Sequence, residues 1–203
     1  ALIVGGLTFV NPNLTGLTGR VEPQVAGPEV FMDVLPDTMA TIEAPTGDVT
    51  IDIPAGATTD LTRFYYARIE QDTAPDLPDG YIQTERVFDL SVLDGLGNKL
   101  ETPTDFQEPL QLTIQLTAQD VYNSEGNPSL ILIQHYHEED GWEVLPTEVD
   151  FVTATATASI ERLSIFALTV KEPEELVEPT PTPEPLGSRA VGVAISVPTP
   201  TTI

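Results

Sequence analysis

The chain has 203 residues, 40% of them hydrophobic, which is enough for one ordinary domain with extensions. Eight Lys and Arg against 32 Asp and Glu give a net charge of −24, which argues against nucleic acid, anionic membranes and phosphate ligands as partners. Cysteine is absent, which removes a disulfide scaffold, a zinc–thiolate site and a cysteine nucleophile, while 19 prolines and abundant Thr, Val and Ile favour strands and turns over helices.

Residues 1–39 read as an N-terminal arm of short strands and turns, with apolar patches separated by Asn11-Pro12-Asn13 and Ala26-Gly27-Pro28. Residues 40–170 carry regular strand patterns. Val49 to Ile53 is a strand ending at Pro54, and Arg63 to Glu70 is a second. A short strand is expected at Tyr81-Ile82 and another from Val87 to Leu93, which runs into the turn Asp94-Gly95-Leu96-Gly97-Asn98. From Leu110 to Leu116 apolar residues alternate with Gln111, Thr113 and Gln115, the mark of a half-buried strand. Leu130 to His137, Trp142 to Leu145, Phe151 to Ile160 and Leu163 to Val170 complete the set. Strands at this spacing, with Gly- and Asp-rich turns, predict an all-β fold, an antiparallel β-sandwich of Ig-like type with little helix.

Beyond it, residues 171–187 are rich in Pro, Glu and Thr and read as an extended polyproline II linker. Residues 188–203 form a C-terminal strand and tail. Within them Arg189, Val191, Val193, Ile195 and Val197 share one face of an extended chain, and Ser188, Ala190, Gly192, Ala194 and Ser196 share the other. Such a strand leaves four Val and Ile side chains in water unless a sheet receives them. About sixteen linker residues span on the order of 50 Å, against roughly 35 Å for a compact domain of about 130 residues. The segment therefore reaches a neighbouring copy as readily as its own sheet, and residues 1–10 are a rival donor interrupted by Gly5-Gly6.

The run Val49-Thr50-Ile51-Asp52-Ile53-Pro54-Ala55-Gly56-Ala57 resembles the signature of ZU5-like domains. Phe88-Asp89-Leu90 with the Asp94-Gly95 turn, the Pro109-Leu110 strand, the strand leading to Gly141-Trp142, and Leu163-Ser164-Ile165-Phe166-Ala167-Leu168 resemble the later strands in order. The resemblance covers residues 40–170 and implies an interaction and structural module of the bacterial cell-surface type. Some such domains cleave themselves at a His-Phe-Ser triplet. The matching positions here are Arg162-Leu163-Ser164, and without the His the resemblance implies no self-cleavage.

Sites of chemistry are few. His135 and His137 flank Tyr136 and fall on one side of a strand, as some metal sites require, but the plainer reading is a strand entering a solvated acidic turn, and a zinc site needs a third ligand from another strand. Asp72, Asp76 and Asp79 offer oxygen ligands without EF-hand spacing, so solvated loop carboxylates are the expectation. Trp142 suits either a sugar platform or, in the preferred reading, packing. No Gly-rich phosphate loop, G-x-S-x-G or H-E-x-x-H occurs, so an enzyme is not expected and no metal or cofactor is assigned.

The expected function is a structural subunit of an extracellular filament, a homopolymer built head to tail by insertion of a terminal strand into the next copy's sandwich. The alternative is a monomeric cell-surface adhesion module on a Pro-rich stalk. Acidity, the Pro/Thr tail and a glycosylation sequon at Asn13 lean towards the cell exterior. The expected partners are other copies of the chain, with divalent cations on the acidic surface and no membrane insertion in the mature form.

Overall fold

The computed structural model describes residues 23–100 and 106–173. Alternation of apolar and polar residues gives eleven strands among these residues, and the result is a sandwich of two antiparallel sheets. One sheet has six strands: β1 (Val30–Val34), β4 (Thr62–Arg68), β5 (Tyr81–Leu93), β7 (Ile131–His137), β8 (Gly141–Val144) and β11 (Ile165–Lys171), in the spatial order β1-β4-β5-β11-β7-β8. The other has β2 (Ala40–Glu43), β3 (Val49–Ile53), β6 (Leu110–Gln115), β9 (Glu148–Asp150) and β10 (Thr155–Ile160), in the order β2-β3-β6-β10-β9. Among the described residues there is one α-helix, α1 (Ala118–Asn123), beside two short 3-10 turns, and no helix is long and apolar enough to cross a membrane.

Inward-facing residues of the two layers build the core. Val49, Ile51 and Ile53 of β3 and Leu110, Leu112 and Ile114 of β6 meet Phe64, Tyr66, Phe88, Leu90, Phe166 and Leu168 of the larger sheet, all buried. Rings form a row across that sheet: Tyr66 to Phe88 at 5.3 Å, Phe88 to Phe166 at 5.7 Å, and Phe166 to His135 at 4.6 Å between centroids.

Two ion pairs hold the six-stranded sheet to neighbouring elements. Arg68 of β4 binds the Asp48 carboxylate at 2.6 Å just ahead of β3, and buried Arg86 of β5 binds buried Asp120 of α1. Asp120 also accepts from the Thr117 amide at 2.7 Å while Thr117 caps the Asp120 amide, so one carboxylate both starts the helix and neutralises the arginine.

Several elements differ from the sequence reading. β1 lies within the stretch assigned to the arm and pairs with β4 from Val30 opposite Tyr66 to Val34 opposite Thr62. The two pieces at residues 81–82 and 87–93 are one strand of 13 residues. A bulge against β11 absorbs the polar run Thr84-Glu85-Arg86, where the pairing steps from Ala167–Val87 to Thr169–Gln83. Conversely, the strand expected from Phe151 to Ile160 starts only at Thr155. Asp150 accepts from the Val152 amide at 2.7 Å and Ala154 takes φ 53°, so Phe151 and Val152 form a hairpin tip and Glu148–Asp150 the missed strand β9.

Candidate metal centre

Alternation along β7 puts Ile131 and Ile133 into the core, and carries His135 and His137 onto the same face at the strand's end. Glu138, Glu139 and Asp140 form the turn, and Gly141 closes it at φ 80°, a left-handed conformation that a side chain disfavours. β8 then returns antiparallel, with His137 opposite Gly141, Tyr136 opposite Trp142 and His135 opposite Glu143. Directly opposed residues share a face, so Glu143 joins the two histidines.

One ligand atom from each of His135, His137 and Glu143 lies within 4.8 Å of the others. His137 Nε2 sits 3.1 Å from Glu143 Oε2, and the two imidazoles meet edge to face at 4.2 Å between centroids. Burial is graded across the group: His135 is 4% exposed, His137 half-buried and Glu143 exposed. His135 stacks nearly parallel on Phe166, at 12°, which fixes its ring plane. Its Nε2 is buried without a hydrogen-bond partner among the described residues. Burial, then electrostatic repulsion from the side of His137 and Arg162, hold its pKa down at about 4, so the ring is neutral at neutral pH.

The third side chain that the sequence could not place beside the two histidines is Glu143. A hairpin with the turn at 138–140 would have found it, since a register that opposes residues 137 and 141 also opposes 135 and 143. Asp72, Asp76 and Asp79 are exposed, and among the described residues the histidine–glutamate group is the only cluster of three or more such side chains that could hold a metal. Trp142 points to the other side of the hairpin. It packs with Ala74 and Ile165 against Ile69, Val87 and Ala167, and its indole N–H donates to the Asp76 carbonyl at 3.0 Å, so packing is its observed role. Ser164 donates its hydroxyl to the Tyr136 carbonyl. Asn13 and the strand residues Arg189, Val191, Val193, Ile195 and Val197 lie outside the described residues.

No protein-family model matches the chain, and no curated protein matches it either.

Proposed function

We propose that the protein is a structural subunit of an extracellular surface polymer, a ZU5-like sandwich whose C-terminal strand docks on the next copy. The observation that carries this reading is the uninterrupted alternation of residues 189–197 behind a proline-rich linker long enough to leave its own domain. A donated strand needs a free sheet edge with apolar side chains beside it. β1 is the longest edge strand of the sandwich, at five residues, and no strand pairs with its outer side among the described residues. Phe31 on it, Leu35 directly after it, Leu61 directly ahead of the neighbouring β4, and Met39 are all exposed. Burying four Val and Ile side chains contributes roughly 1.5–3 kcal/mol each before ordering costs, a range that sustains a polymer. The ZU5-like reading rests on the resemblance of the run 49–57, the stretch that forms β3 and the turn at Gly56.

Light scattering of the full-length chain against a version ending at Lys171 tests the reading. Polymers are expected from the first and monomers from the second, and a peptide of residues 188–197 should bind the shortened chain and be refused by its Phe31→Glu variant. Equal monomer masses for both chains would overturn the assembly and leave a stalked surface module.

A further inference from the structure

The geometry points to a metal site: His135, His137 and Glu143 hold a divalent transition metal ion of the Zn2+ kind, which clamps the β7–β8 hairpin at the edge of the six-stranded sheet. Both the donor set and its placement argue for this. Two imidazole nitrogens and one carboxylate oxygen are borderline donors that suit Zn2+, Ni2+ or Cu2+, whereas Ca2+ and Mg2+ demand nearly all-oxygen shells. The three ligands come from two strands whose pairing is fixed by the core and the Gly141 turn, so no loop has to be ordered to assemble them.

An independent observation is the His135 Nε2 itself. A buried ring nitrogen without a partner is uncommon in folded proteins, and this one belongs to a ring locked on Phe166 beside two potential co-ligands. Bonds of about 2.0–2.1 Å place tetrahedral ligands about 3.4 Å apart. The present atoms lie within 4.8 Å of one another, and the Glu143 side chain, 64% exposed, has room to turn towards the histidines. Arg162 opposes a cation here, as its effect on His135 indicates, but the Glu143 charge and the net −24 of the chain offset it. Three protein ligands leave a fourth position for water, the arrangement of open zinc sites. Monomer and polymer would both contain this group, so the inference stands apart from the assembly reading.

Calorimetric titration of the full-length chain, stripped with chelator, with ZnCl2 tests it. Saturable 1:1 uptake is expected, with a Kd in the micromolar range or tighter, together with shifts of the His135 and His137 imidazole 15N resonances. His137→Ala and Glu143→Gln, both outside the core, should each weaken binding by about tenfold or more while leaving the circular dichroism spectrum intact. Arg162→Gln should tighten it. Excess Ca2+ should leave Zn2+ binding unchanged. Absent saturation, uptake undiminished in both variants, or displacement by Ca2+ would each overturn the site in favour of diffuse binding to the acidic surface.

Discussion

Asp120 shows how much one buried carboxylate carries. It is 2% exposed, balances the guanidinium of Arg86, which is 6% exposed, and starts α1 through its bonds with Thr117. Asp120→Asn keeps the shape but leaves Arg86 charged and unpaired, so a loss of about 3–5 kcal/mol is expected in urea denaturation. Pairing it with Arg86→Met should recover most of that, because the uncompensated charge is gone; purely additive losses would mean the pair is not coupled. The Arg68–Asp48 pair makes a pH prediction. Burial alone raises the Asp48 carboxyl, but hydrogen bonds from Arg68 and Thr46 and the Arg68 charge outweigh it, so its pKa falls below 3.8. A carboxyl lowered on folding contributes stability in full above its unfolded value and loses it as pH falls through the folded one. Asp48→Asn should therefore flatten the acid limb of the stability–pH curve below about pH 4. An unaltered limb would remove Asp48 from the acid response. Neither pair was visible in a sequence where 32 carboxylates face 8 basic residues, since nothing local says which acid meets which arginine.

Strands were the most legible elements, and their limits failed where polarity and periodicity disagree. β3 and β6 alternate cleanly, with every second residue buried, and the sequence reading finds both. β5 breaks the pattern because Thr84 and Arg86 are buried yet polar, the first donating to the Leu168 carbonyl at 2.7 Å and the second held by Asp120. At residues 151–152 the error ran the other way: two apolar side chains suggested a strand, yet Val152 is 95% exposed at a tip that Asp150 organises. The β7–β8 hairpin depends on one backbone requirement, the φ of 80° at Gly141. Gly141→Ala should cost about 1–2 kcal/mol and lower the thermal midpoint, whereas the same change at Gly95, which has no such φ, should be milder. Equal effects at the two positions would mean the turn relaxes without strain.

At the scale of the whole molecule, a net charge of −24 on 203 residues opposes compaction. Raising sodium chloride from about 0.01 M to about 0.15 M shortens the screening length from about 30 Å to about 8 Å, so the thermal midpoint should climb over that range. A flat or falling midpoint would show that the surface carboxylates are not in net repulsion. Topology sets what this charge surrounds: hairpins β4–β5 and β7–β8 lie in the six-stranded layer and β2–β3 and β9–β10 in the five-stranded one, and each layer is completed by strands distant in sequence. The sequence by itself determined the all-β class, most strand positions and the buried face of β6, because a two-residue period is written among near neighbours. It also singled out His135 and His137 as side chains sharing one face. Only the tertiary structure decided that Glu143 stands beside them, that Arg86 meets Asp120, and that β1 lies against β4. Partners across strands and layers depend on register, and register is fixed by turn geometry and by the fit of the two inner faces once the whole core has closed.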